Sequence, residues 1–173
     1  MSRASLLIFI SLLVIFTFLA LNSIGGLPEN IAIHFDANGA AASWTTRDTY
    51  RICVLLSLAG VPLLLVWLMA GLPRLTKGSG QIPHCEYWFS DNRRPQTEAF
   101  LLQHACWLGT LTVAVVYGMH VLIVRANAIN PPTMATDRLL TMIFAYLFGL
   151  VWWTTAFLRH FVKQTDRDLR AQK

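Results

Sequence analysis

The stretch ASLLIFISLLVIFTFLAL, residues 4–21, is the first of four apolar blocks that decide the fold. The others are residues 52–72, 101–124 and 139–158. No block contains Asp, Glu, Lys or Arg, and each approaches or exceeds the roughly 20 apolar residues that a helix needs to cross a bilayer. A helix of a water-soluble bundle would show a charged face instead. The blocks predict an all-α integral membrane fold with four transmembrane helices in one domain, residues 1–158, followed by a basic tail, residues 159–173.

The composition excludes an ordinary soluble domain. The chain is 55% hydrophobic and only 13% charged, whereas soluble domains carry about 25% charged residues. The first block could also be a signal peptide, but its apolar run exceeds the roughly 7–15 residues of such a segment and no small-x-small cleavage site follows. We therefore expect a retained first helix, with the lipid bilayer as a constant partner.

The basic residues predict the orientation. With the N-terminus inside, ten of them lie on the cytoplasmic side: Arg3, Arg74, Lys77, Arg93, Arg94, Arg159, Lys163, Arg167, Arg170 and Lys173. Four lie outside: Arg47, Arg51, Arg125 and Arg138. Because cytoplasmic loops carry an excess of Lys and Arg, both termini are expected to be cytoplasmic. The same placement accounts for the net charge of +5, so no nucleic-acid partner is predicted. The basic tail either stays solvated or lies against anionic head groups.

The first outer loop contains a varied segment, LPENIAIHFDANGAAASW, at residues 27–44. Apolar residues alternate in IAIHF, residues 31–35, which predicts a short strand. DANG, residues 36–39, favours a tight turn because Asn and Gly tolerate positive φ. Trp44 and Tyr50 are placed as interfacial aromatic residues before the second helix. The segment therefore predicts a small ordered outer loop.

LPENIAIHFDANG and the Trp that follows it resemble the bacterial membrane domain of unknown function 1648, the N-terminal part of SdpI-type immunity proteins. EYWFSDNRR, residues 86–94, and HVLIVRAN, residues 120–127, resemble further stretches of that family. The resemblance implies a multi-pass protein of the bacterial cytoplasmic membrane that protects against a membrane-active peptide or protein toxin. The outer-loop positions that match, and so become candidate binding residues, are Leu27, Pro28, Ile33, His34, Phe35, Asp36, Gly39 and Trp44. The other motif positions are Tyr87, Trp88, Arg94, His120, Arg125 and Asn127.

The ionisable residues do not form a recognisable catalytic or metal-binding set. His104 and His120 are sixteen residues apart on one helix, roughly 24 Å along its axis, so they cannot share a metal within one chain. No His-Glu-x-x-His or Cys-x-x-Cys spacing occurs, and DANG lacks the ligand pattern and the terminal Glu of a calcium loop. We therefore predict no metal, no cofactor and no catalytic residue.

Several alternatives stay open from the sequence. His34 and Asp36 either hold the loop together, with Asp36 capping the turn and His34 bonded to backbone, or His34 and Phe35 touch a ligand. A membrane enzyme or metal-dependent protein would need His34, Asp36 and His120 to converge. A transporter or sensor accessory subunit would use Gln103, His104 and His120. A homo-oligomer is also compatible with the sequence.

Overall fold

Four long helices and one small sheet make up the protein, in a computed structural model that describes residues 3–79, 82 and 84–171, with side chains as far as Phe161. The long helices are α1 (Ala4–Ile24), α2 (Arg47–Thr76), α4 (Arg94–Asn127) and α5 (Thr136–Ala171), and a short helix, α3 (Cys85–Trp88), precedes α4. In the described part of the chain these four are long and apolar enough to span a membrane, which confirms the four predicted helices. The side chains of the predicted basic tail lie mostly outside the described residues.

The helices extend beyond the predicted bounds. Helix α2 begins at Arg47 rather than at residue 52, because the Thr46 side chain accepts a hydrogen bond from the Thr49 N–H and Asp48 lies in the first turn. Helix α4 begins at Arg94 rather than at residue 101. The predicted bounds were placed at the ends of the apolar runs. A helix also includes the polar residues beyond such a run, as long as the backbone hydrogen bonds between successive turns continue.

Two wider π-turns interrupt α2, at Leu56–Gly60 and at Trp67–Gly71. Each is followed by a proline, Pro62 or Pro73, within two residues. Proline has no N–H to donate to the carbonyl four residues earlier and its ring crowds that carbonyl, so the preceding turn widens. The helix ends where Lys77 and Gly78 adopt positive φ.

The prediction of an all-α fold was wrong in one part of the chain. Strands β1 (Asn30–Phe35) and β2 (Ala41–Thr46) form an antiparallel two-stranded sheet between α1 and α2. The predicted strand IAIHF is part of β1, but its pairing with β2 was not foreseen, because AASWTT has no run of strand-forming apolar residues. We call residues 27–46 the cap, and the end of the bundle that carries them the sheet end.

Helix α4 lies at the centre of the bundle and packs against α1, α2 and α5. The core near the sheet end is built from α1, the cap, α2 and α4, with Ile24, Ile31 and Leu58 fully buried. A second buried cluster at the opposite end includes Trp88 and Leu101. Large apolar side chains are exposed around the outside of the helices, a surface that suits lipid and not water.

Candidate functional site: the cap and the groove beneath it

Asn127, at the end of α4, fastens the cap to the helix bundle. The Ala32 N–H donates to Asn127 Oδ1 at 2.8 Å, and Asn127 Nδ2 donates to the Ala32 carbonyl at 2.9 Å. The amide group thus bonds to both backbone groups of one strand residue, as a neighbouring strand would. Because Ala32 is fully buried, these bonds satisfy backbone groups that water does not reach.

The turn of the cap is fastened separately to the connection between α4 and α5. The Met134 N–H donates to the Gly39 carbonyl at 2.8 Å, and Ala40 forms a bridge with Thr133. Gly39 has a φ of +84°, and a Cβ atom there would lie 2.5 Å from the Met134 carbonyl oxygen. Glycine is therefore required both by the backbone conformation and by the close approach.

Asp36 and His34 have separate partners. Asp36 Oδ1 accepts hydrogen bonds from the N–H groups of Asn38 at 2.8 Å and Ala40 at 2.9 Å, so its predicted role in capping the turn is confirmed. His34 Nδ1 lies 2.7 Å from Ser43 Oγ. The prediction of a backbone partner for His34 was wrong: it bonds to the side chain that faces it across the sheet.

Trp44 is presented on the outward face of the sheet. Along β2 the exposure alternates, with Ala42, Trp44 and Thr46 exposed and the residues between them half-buried. Trp44 is 51% exposed. Successive residues of a strand point to opposite faces, so the side chains of Trp44 and Ser43 point in opposite directions. The His34 side chain bonds to that of Ser43. Trp44 is paired across the sheet with Ala32, whereas His34 is paired with Ser43.

The other motif residues of the cap have mainly structural positions. Leu27 is buried in the core, Ile33 and Phe35 are half-buried, and Pro28 is exposed. The Pro28 carbonyl accepts a long hydrogen bond, 3.4 Å, from Arg47 Nε. Of the apolar outer-loop candidates, Trp44 is the large side chain left available to a partner.

His120 is the centre of a buried hydrogen-bond chain. Its Nε2 lies 2.7 Å from Ser23 Oγ, and its Nδ1 lies 2.9 Å from the Tyr50 hydroxyl. The Ser23 hydroxyl donates its hydrogen to the Ala20 carbonyl, so it can only accept from His120. A neutral imidazole with its hydrogen on Nε2 satisfies both contacts, because the Tyr50 hydroxyl can then donate to Nδ1. The chain joins α1, α2 and α4 and ends on a backbone carbonyl.

Tyr50 is the residue of this cluster that sequence reasoning placed wrongly. It was predicted to be an interfacial aromatic residue, but it is only 4% exposed, and its ring stacks near His120 with centroids 5.8 Å apart. A usable signal was present in the sequence. A histidine inside an apolar span needs a polar partner, and Tyr50 and Ser23 belong to the same end of the bundle.

An apolar groove of about 490 Å³ lies between α2 and α4, with the cap as its roof. Its lining residues are Ile33, Thr45, Thr49, Tyr50, Cys53, Val54, Ser57, Val115, Val116, Met119, His120 and Ile123. Thr49, Cys53 and Ser57 are exposed along its α2 edge, so the groove opens on the surface of the bundle. The polar atoms of His120 and Tyr50 in its wall bond to each other, and apart from the hydroxyls of Thr45, Thr49 and Ser57 the wall is largely apolar.

The motif residues of the second stretch lie at the end of the bundle opposite the cap. Trp88 is buried, and its carbonyl accepts a hydrogen bond from the Thr97 hydroxyl at 2.8 Å. The ring of Tyr87 lies 4.2 Å from the guanidinium of Arg93. Arg94 pairs with Glu98, one helical turn further along α4, at 2.8 Å. These residues fasten the start of α4 and do not join the cap.

The residues that the alternative functions need are not brought together. His34, Asp36 and His120 each bond to different partners, as described above. His104 Nδ1 donates to the Phe100 carbonyl in its own helix, and Gln103 is exposed. Among residues 3–79, 82 and 84–161, no three His, Cys, Asp or Glu side chains lie close enough to hold a metal ion. Arg125 is exposed in the last turn of α4.

Comparison of the chain with models of protein families gives no match. Neither curated proteins nor solved structures give one.

Proposed function

We propose that the chain is a multi-pass protein of the bacterial cytoplasmic membrane that protects the cell against a membrane-active peptide or protein toxin by non-catalytic contact. In this proposal both termini are cytoplasmic and the cap faces outward. The basic residues support this orientation, since ten of the 14 fall on the side of the termini.

The observation that carries the proposal is the fixed attachment of the cap, combined with the exposed side chain on its outward face. Asn127 holds β1, and the connection before α5 holds the turn at Gly39. Trp44 therefore stands on a platform whose backbone is ordered before any partner arrives. A binding surface ordered in advance loses less conformational entropy when it binds.

Trp44 is the contact residue that this geometry favours. A tryptophan offers a large apolar ring and one N–H donor, and such residues dominate the binding energy of many protein interfaces. A toxin that reaches the membrane surface would meet this ring before it inserts. Contact there would hold the toxin at the surface and prevent its insertion or its assembly into a pore.

The test is a survival assay with a matched pair of tryptophan variants. A strain that lacks the gene is grown together with each of a panel of competing bacterial strains. The deletion strain is then complemented with the wild-type protein, with Trp44→Ala or with Trp67→Ala. Trp67 is a suitable control because it is 50% exposed but lies in α2 away from the cap. We expect the wild type and Trp67→Ala to restore survival and Trp44→Ala to fail, at equal amounts of protein in the membrane.

Two results would overturn the proposal. One is unchanged survival of the deletion strain against every competitor in the panel. The other is full protection by Trp44→Ala, which would show that the outward face of the cap is not where the protein acts.

A further inference from the structure

The groove between α2 and α4 has the dimensions of a site for one extended hydrocarbon chain. On α2 it runs from Thr49 to Ser57, and on α4 from Val115 to Ile123, which corresponds to roughly 12 Å along either helix axis. One leaflet of a bilayer has a hydrocarbon layer of about 15 Å, half of the full core. The groove therefore fits within a single leaflet, on the side of the sheet end.

The lining argues against an extended peptide. A peptide backbone without partners would leave its N–H and C=O groups unsatisfied against an apolar wall, at several kcal/mol for each group. His120 and Tyr50 in the wall already bond to each other, and the remaining hydroxyls, on Thr45, Thr49 and Ser57, are too few to satisfy the backbone of a peptide. A hydrocarbon chain has no hydrogen-bonding groups, so it leaves none unsatisfied against an apolar wall.

We infer that the groove binds one acyl chain of a membrane phospholipid, with the cap closing the end of the groove. Ile33 and Thr45 of the cap form this closed end, while the exposed α2 edge at Cys53 and Ser57 lets the chain enter sideways from the bilayer. The hydroxyls of Thr45 and Thr49 lie at the end nearest the head groups. The inference requires that the chain is embedded in a membrane, and it does not depend on any toxin.

The test counts the phospholipids that remain bound to the purified protein. The protein is extracted with a steroid-based detergent, which supplies no alkyl chain to compete for the groove, and is examined by native mass spectrometry. Ser57→Trp fills the groove, while Leu56→Trp is the matched control. Leu56 is the adjacent residue, is 64% exposed and does not line the groove.

We expect one phospholipid on each wild-type and Leu56→Trp chain, and at least a tenfold lower occupancy on Ser57→Trp. Val115→Trp fills the groove from the α4 wall and gives a second variant if Ser57→Trp does not fold, as judged by circular dichroism and gel filtration. Equal lipid retention by the groove-filling and control variants would overturn the inference, and so would a wild-type protein that carries no phospholipid. Neither result depends on the survival assay for the cap.

Discussion

His120 shows how a single polar residue in an apolar span can determine how helices meet. It is 3% exposed, and the two atoms it bonds belong to different helices, Ser23 in α1 and Tyr50 in α2. Any shift of one helix along another would break at least one of these bonds. Because the surroundings are apolar, the groups that are separated would find no water as a replacement.

Tyr50→Phe should lower the free energy of unfolding by about 1 kcal/mol, because hydrogen bonds between membrane helices contribute roughly 0.6–2 kcal/mol. The change removes the hydroxyl that donates to His120 Nδ1 and keeps the ring in the core. The measurement is an unfolding titration in mixed micelles. Tyr117→Phe is the control, since it preserves the stacking of that ring on Phe16. An equal loss of stability in both variants would contradict the proposed hydrogen-bond chain.

At the scale of elements, the cap depends on the helices for its stability. A two-stranded sheet is marginally stable by itself in water, and this one has two register irregularities in β1. It is ordered because Asn127 supplies the bonds of a missing neighbour strand and because Ile31 is buried among the helices. Sequence reasoning found the turn and the first strand, which depend on local residues. It could not find the contact between Ala32 and Asn127, which are 95 residues apart.

Asn127→Ala should loosen the cap while the helices stay formed. Loss of the two bonds to Ala32 is worth roughly 1–3 kcal/mol, which corresponds to roughly 5- to 150-fold in the opening equilibrium of the strand. Hydrogen exchange followed by mass spectrometry should show faster exchange across residues 30–46 and unchanged exchange in α4. Asn22→Ala is the control, since Asn22 bonds only within α1, to the Phe18 carbonyl, among its described contacts. Unchanged exchange in the cap would show that Asn127 does not hold it.

At the scale of the whole molecule, the two ends of the helix bundle carry different structural features. The sheet end carries the cap, the His120 chain and the groove, whereas the opposite end carries the aromatic cluster around Trp88. The orientation proposed for the membrane assigns the sheet end to the outside. The groove and the cap would then both act on the outer leaflet.

Cysteine labelling tests this orientation directly. In a background with Cys53→Ser and Cys85→Ser, where the remaining Cys106 is fully buried, Ala42→Cys places a thiol on the exposed face of the cap. Asn92→Cys places one at the opposite end. A maleimide that does not cross membranes should label Ala42→Cys in intact cells, and Asn92→Cys only after the cells are permeabilised. The reverse pattern would mean that the cap faces the cytoplasm, contrary to the proposal.

The sequence by itself determined the four helices of the fold, because the energetic cost of placing charge in a bilayer excludes Asp, Glu, Lys and Arg from long stretches of chain. It also determined the turn at residues 36–39, since Asp36 and Gly39 act on their near neighbours. The tertiary structure alone decided the pairing of β2, the burial of Tyr50, the partners of His120 and the groove. The last three depend on contacts between residues far apart in the chain, which leave no periodic pattern along it, whereas β2 lacks the run of strand-forming apolar residues that would mark it as a strand.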